Sequence, residues 1–251
     1  MISAVIPTGF VALYSHKQTW WVKAGWEGVV PEAVTQTPLE TGALVSGGRG
    51  AVHRVVLGAR GAAIARQYRR GGLLRHFVRD LYWDRPPRPF AELLCTEAAR
   101  QRGVPTVEVL GAGVEWVTLG LYRGTLVTRE AEGVINLWEW LQQKSTGSAR
   151  EAVIAAAARV IAQLHDAGVA HADLNLTNIL VHAAQDIPTV LVIDFDRASV
   201  FPGPLPADRR EHSLRRLRRS LDKLDPGGLL FSPVDLEIFC RAYHPRSGHS
   251  L

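Results

Sequence analysis

The spacing of apolar and polar positions changes character once along the chain. Between residues 41 and 132, short β-favouring runs alternate with glycines. "LVSGGRGAVHRVVLGARGAAIARQY" reads as consecutive antiparallel strands joined by hairpins, and "VEVLGAGVEWVTLGLY" and "TLVTRE" read as further strands. One helix interrupts them. "AELLCTEAARQRG" follows the proline-rich "DRPPRPF" and is stopped by Gly103 and Pro105. From residue 133 the period turns helical. "INLWEWLQQ" opens that half, and "EAVIAAAARVIAQLHDAG" predicts a long alanine-dominated helix closed by Gly168. A late strand pair, "ILVH" and "TVLVIDFD", is joined by a turn at "AAQDIP". Near the C-terminus, "DRREHSLRRLRRSLDKL" sets Leu214, Leu217, Leu221 and Leu224 on one helical stripe, expected to pack as core with the arginines in solvent, the alternative being a helix whose basic face meets anionic lipid headgroups.

Strands first and helices second predicts an α+β fold in two lobes. The antiparallel-sheet N-lobe is expected over residues 41–132 and the mainly helical C-lobe over 133–251. Residues 1–40 contain Trp20, Trp21 and Trp26 but show no clear period, so they are expected to form an N-terminal extension.

Composition narrows the class. With 47% hydrophobic and 21% charged residues, the 251-residue chain suits a soluble globular protein with a sizeable core. Cys95 and Cys240 are the only cysteines, which suggests neither a disulfide framework nor a zinc cluster. No basic residue precedes His16 and Lys17, arguing against a secretory signal. No apolar run approaches the roughly 20 residues that cross a bilayer. A reducing, cytoplasmic setting is expected. The net charge of +5 favours an anionic partner, whether nucleotide, nucleic acid or membrane surface, without choosing among them.

The candidate chemistry lies in "HADLNLTNIL", residues 171–180. It joins the long helix to the late hairpin, which itself ends in Asp194 and Asp196. Asp173, Asn178 and Asp194 therefore recur at the mouth of one hairpin. Such hard oxygen donors suit Mg²⁺, which takes few protein ligands and completes its shell with water and phosphate.

Residues 165–196 resemble the catalytic loop and metal-binding segment of the protein-kinase-like superfamily, where H-R-D-L-x-x-x-x-N precedes D-F-G. The resemblance implies that Asp173 orients the acceptor hydroxyl and accepts its proton. It implies Mg²⁺ ligands at Asn178 and Asp194, a structural role for His171, and ATP as phosphoryl donor. Upstream, "SGGRGAV" stands where the glycine-rich loop would close over phosphates, with Gly47, Gly48 and Gly50. "AAIAR" stands where V-A-I-K would be, putting Arg66 at the lysine's position. Glu92, 13 residues before Pro105, matches the lysine's glutamate partner, with Glu97 as rival. Glu92 could equally be a solvated carboxylate in a helix's first turn.

Departures narrow the resemblance. Arg66 replaces lysine, Asn175 replaces the loop lysine, "DFD" replaces D-F-G, and no A-P-E follows in the remaining 55 residues. Protein phosphorylation is not expected. Together with "GGRGA", "ARQYRRGG", "HADLNLTNIL" and "IDFDRAS", these features resemble the 3-deoxy-D-manno-octulosonic acid (Kdo) kinases of lipopolysaccharide assembly, over roughly residues 40–225. That resemblance implies transfer of the ATP γ-phosphoryl group to the 4-hydroxyl of Kdo on a lipid A precursor. It implies a peripheral enzyme at the cytoplasmic face of the inner membrane, working on an anionic surface rather than on nucleic acid. Arg69, Arg70 and Arg197 would suit the anionic acceptor. Competing expectations are a soluble small-molecule kinase of aminoglycoside or choline phosphotransferase type, and a pseudokinase scaffold.

Overall fold

The structure, a computed structural model, describes residues 5–36, 51–68, 86–118, 121–182 and 187–244. The chain divides into two compact units, Met1–Glu97 with Val107–Glu130, and Ala98–Thr106 with Ala131–Leu251.

In the first unit the described residues build one antiparallel sheet. Its strands are β1 (Phe10–Tyr14), β2 (Gln18–Lys23), β3 (Ala51–Val56), β4 (Ala62–Gln67), β5 (Val109–Thr118) and β6 (Leu121–Arg129), ordered β1-β2-β5-β6-β4-β3. Helix α1 (Val30–Gln36) and helix α2 (Arg88–Gln101, which reaches the second unit at Ala98) complete it. Successive strand residues point to opposite faces, and the tandem tryptophans show it. Trp21 joins Phe90, Leu93, Tyr122 and Leu126 in one apolar cluster, its ring stacked 4.3 Å from that of Phe90. Trp20 joins Val30, Leu110 and Val127 in the other.

Residues 5–36, expected within an N-terminal extension, contribute two strands to the sheet of the first unit. β1 and β2 pair with the sheet through β5, with Trp21 opposite Ala112. Trp20, Trp21 and Val22 are buried in succession. A strand covered on both faces shows no alternation, so no period marked it. Two further boundaries differ from expectation. α2 begins at Arg88, a turn early, so Glu92 lies beyond the first turn. β5 ends at Thr118 and β6 begins at Leu121, so the expected single strand over residues 107–122 contains the reversal. Gly124 sits inside β6, where a Cβ would come within 2.5 Å of Pro89 Cγ; it permits close packing and makes no turn.

The second unit is mainly helical, as its pattern predicts. β7 (Ile135–Asn136) leads into α3 (Leu137–Gln142), capped by Asn136 Oδ1 accepting from Glu139 N–H at 2.9 Å. Then come α4 (Gly147–Asp166), β8 (Val169–Ala170), β9 (Ile179–His182), β10 (Thr189–Val192), β11 (Ser199–Val200), α5 (Ala207–Leu224) and α6 (Pro233–Tyr243). α4 packs on α6 and β10, and its residues Ile154, Ala158, Ile161 and Leu164 are nearly inaccessible. Gly168 ends α4 at φ +72°, and a Cβ there would meet the Gly203 carbonyl oxygen at 2.1 Å. His165, on the last turn of α4, is buried between Tyr243 Oη (2.7 Å from Nδ1) and Ser213 Oγ (3.0 Å from Nε2). Burial, then the Arg210 charge, pushes its pKa down to about 4, so it is neutral at pH 7.

Candidate active site

Two β-pairings fix the backbone of residues 171–198. β8 pairs with β11 (Ala170 opposite Ser199), and β9 pairs with β10 (Ile179 opposite Val192). Between them Leu174 and Leu176 are buried, anchoring the loop and leaving Asp173 exposed. Asn175 supplies the local order. Its Oδ1 accepts from Thr177 N–H (2.9 Å), Asn178 N–H (3.1 Å) and the Thr177 hydroxyl (2.7 Å), capping a 3₁₀ turn over Leu176–Asn178. The amide where protein kinases carry lysine is thus a structural pivot.

The three expected site residues of this unit are bound together. The Asp173 carbonyl accepts from Asn178 Nδ2 (2.9 Å) and Asn175 Nδ2 (3.1 Å). Asn178 in turn accepts, through its carbonyl, the N–H of Ile193 at 3.0 Å, the residue before Asp194. His171 closes the ring of contacts. Its Nδ1 accepts from Asp173 N–H at 3.1 Å, so Nε2 carries the proton and donates to the Ile193 carbonyl at 2.9 Å. Burial, above all, lowers its pKa and keeps the imidazole neutral, in the one tautomer that satisfies both bonds. Phe195 is buried with its ring 5.3 Å from that of His171.

Asp194 sits at φ +67°, in the left-handed region that non-glycine residues rarely occupy. Strain of this kind at a carboxylate is a mark of a functional position. Among the described residues nothing donates to Asn178 Oδ1, because the amide's nitrogen is the atom held by Asp173. An amide oxygen left open beside a carboxylate-bearing turn is a donor set that fits Mg²⁺.

In the first unit, Arg66 on β4 forms an ion pair with Glu92 on α2, and the Tyr68 hydroxyl donates to the same Glu92 oxygen. Glu92 is only 2% exposed, which removes the solvated first-turn alternative. Glu97, five residues further along α2, is also buried. The guanidinium of Arg66 lies 5.0 Å from the Tyr68 ring centre and that of Arg88 5.3 Å. Tyr68 was not singled out from the sequence, although its place two residues after Arg66 puts both on one face of the chain. Gly47, Gly48, Gly50, Arg69 and Arg70 lie outside the described residues. Arg197 is exposed, at φ +58°.

Residues 39–243 match the model of the lipopolysaccharide kinase (Kdo/WaaP) family. The chain belongs to this family. As a kinase of that family it resembles 3-deoxy-D-manno-octulosonic acid kinases along most of its length. That of Xylella fastidiosa (strain M23) is 35% identical over 204 residues, covering 78% of this chain and 76% of the relative. That of Actinobacillus succinogenes is 31% identical over 185 residues, covering 72% and 75%. Among solved structures, WaaP in complex with acyl carrier protein superposes with a TM-score of 0.59 at 18% identity, covering 90% of this kinase and 89% of that chain, so the fold is shared. The α+β, kinase-like architecture expected from the sequence holds, and the family match disfavours a soluble phosphotransferase of aminoglycoside or choline type.

Proposed function

We propose that the protein transfers the γ-phosphoryl group of ATP to a hydroxyl, the 4-hydroxyl, of Kdo on a lipid A precursor. The observation that carries this reading is the hydrogen-bonded set joining Asp173, Asn178 and the residue before Asp194. The names of the relatives support the acceptor. In the proposed reaction Asp173, exposed on a loop held rigid by Asn175 and His171, orients the acceptor hydroxyl and takes its proton as the oxygen bonds to the γ-phosphorus. The bond to the β–γ bridging oxygen breaks and ADP leaves. Bound through Asn178 Oδ1 and the Asp194 carboxylate, Mg²⁺ would neutralise charge on the phosphate oxygens. Arg66, steadied by Glu92 and Tyr68, is the cation assigned to the nucleotide phosphates, with Gly47, Gly48 and Gly50 as the loop closing over them. Little covalent chemistry is asked of the chain; positioning and charge supply the rate.

We place this activity at the inner face of a membrane, as a peripheral enzyme. Among the described residues no helix is long and apolar enough to cross a bilayer. α5 exposes Arg215, Arg218 and Arg219, a basic surface suited to anionic headgroups. The test is incubation with labelled ATP and Mg²⁺ against a Kdo-bearing lipid, a heptosyl-lipid and an aminoglycoside. Label should enter the Kdo-lipid, and Asp173→Asn should lower that transfer by about 10²–10⁴-fold. Preferential labelling of the aminoglycoside, or full turnover by the variant, would overturn the reading.

A further inference from the structure

The second unit contains three half-buried arginines among its described residues, and two are fully engaged. Arg150 holds the Asp235 carboxylate with two bonds of 2.8 Å and donates to the Ser145 and Leu230 carbonyls. Arg210 pairs with Asp166 at 2.8 Å and donates to the Leu205 carbonyl at 2.9 Å. The third is Arg216. No carboxylate and no hydrogen-bond acceptor meets its side chain among the described residues. Its neighbours on α5 differ. Arg215 faces Glu211 at 3.6 Å and Arg218 faces Asp222 at 2.8 Å, both in solvent where such pairs matter little. A half-buried arginine with no counter-charge offers its guanidinium to an incoming anion, with which a charge-assisted bidentate contact can form.

Its place in the fold says which substrate. α5 packs on β8 and on the 3₁₀ turn of the catalytic loop. Two contacts on one helix face fix that packing: Ser213 Oγ against His165 at 3.0 Å, and Ser220 Oγ accepting from Leu176 N–H at 3.4 Å. With 3.6 residues per turn, Arg216 falls beside both on the same face. Arg216 lies one helical turn from Ser220, the residue through which this face meets Leu176 of the loop. In the reading above, the nucleotide phosphates already have the metal ligands and Arg66. Of the arginines the sequence offers for the anionic acceptor, Arg69 and Arg70 lie outside the described residues and Arg197 is exposed, which leaves the sugar carboxylate without a half-buried cation.

We infer that Arg216 is an acceptor-binding residue, taking the carboxylate of the sugar and so presenting its hydroxyl to Asp173. This rests on the Kdo-lipid reading and adds a recognition element to it. It also explains why the basic stripe of α5 contains one arginine turned inward.

Steady-state kinetics on the full chain test it with three variants and two acceptors. Arg216→Ala and Arg216→Met should raise the acceptor KM about tenfold or more, the usual loss for one charge-assisted hydrogen-bonded contact. The ATP KM should not move. Arg216→Lys, which keeps charge without the fork, should fall between. The second acceptor is the same Kdo-lipid with its carboxyl group methyl-esterified. Wild-type enzyme should lose on the ester what Arg216→Met loses on the acid, and Arg216→Met should be indifferent to esterification. Removing an unpaired cation should leave Tm unchanged or raise it. An unchanged acceptor KM, a raised ATP KM, an ester penalty that persists in Arg216→Met, or a Tm several degrees lower in that variant would each overturn the inference while leaving the Kdo-lipid reading intact. A wild-type enzyme that ignores the Kdo-lipid removes both.

Discussion

The backbone at Asp194 allows activity and stability to be separated in one pair of substitutions. Asp194→Ala and Asp194→Gly both remove the carboxylate, so whatever that carboxylate binds is lost from both, and both should abolish phosphoryl transfer. They differ in what they ask of the chain. At φ +67° an L-residue suffers a clash between Cβ and backbone worth about 1–2 kcal/mol. Alanine keeps that clash and glycine does not. Glycine also loosens the unfolded chain, costing about 0.4–1 kcal/mol. The balance favours the glycine variant by about 0.5–1 kcal/mol.

For a chain of this length each kcal/mol moves Tm by about 2–4 °C. Asp194→Gly should therefore melt about 1–4 °C above Asp194→Ala, measured side by side by calorimetry in one buffer without nucleotide. Labelled-ATP transfer on the same preparations should read zero for both. An alanine variant that melts at or above the glycine variant would refute the left-handed placement, and with it the claim that the site holds its carboxylate under strain. Retained transfer in either variant would refute the metal-ligand role.

Other outcomes follow from particular contacts. Asp235 is 2% exposed, held by Arg150 and by the Ser232 N–H and hydroxyl, so Asp235→Ala should cost about 3 kcal/mol in urea unfolding and leave the ATP KM unchanged. Burial opposes ionisation of that carboxyl, but the Arg150 and Ser232 bonds outweigh it and hold its pKa below the usual range. Its stabilisation is thus present above about pH 4, where the unfolded chain is also ionised, and disappears as pH falls through the depressed folded value. The gap between wild type and Asp235→Ala should close over that acid window; a gap independent of pH would contradict the pairing. Arg66→Ala should raise the ATP KM or lower kcat, and Arg66→Lys should not restore it because an ammonium cannot reproduce the fork beside Glu92 and Tyr68; unchanged constants would mean another cation meets the phosphates. Changing Arg215, Arg218 and Arg219 to Glu should release the protein from anionic vesicles at low salt, each basic residue contributing about 1 kcal/mol there; undiminished sedimentation would move the membrane contact elsewhere.

What the sequence revealed of this protein follows the range of the forces involved. The loop over residues 171–178 was legible because its order is local: Asn175 caps its own turn, and that turn sets Asn178 against Asp173 five residues earlier. The long helix and the glycine that ends it were legible for the same reason, since Gly168 answers a positive φ at its own position. The Arg66–Glu92 pair, 26 residues apart, was reachable only through resemblance to a known pattern, and Tyr68, which no such pattern names, was passed over although it shares the Glu92 oxygen.

The failures have one physical source. Trp20 and Trp21 are covered from both faces of β2, by elements far along the chain, so the pattern that marks a half-buried strand is absent. Gly124 is small because Pro89 approaches it from α2, and a residue kept small by a distant neighbour reads the same as one kept small by a turn. α5 shows the limit most plainly. Of its leucine stripe only Leu217 is buried, while Leu214, Leu221 and Leu224 are half-buried, and the same face carries Ser213 to a buried histidine and Ser220 to the turn at Leu176. Arginine 216 stands in a run of four, Arg215, Arg216, Arg218 and Arg219, whose members are chemically alike in the sequence. Only packing against elements some forty residues away distinguishes the half-buried one from its solvated neighbours, and nothing in the local pattern of charges carries that information.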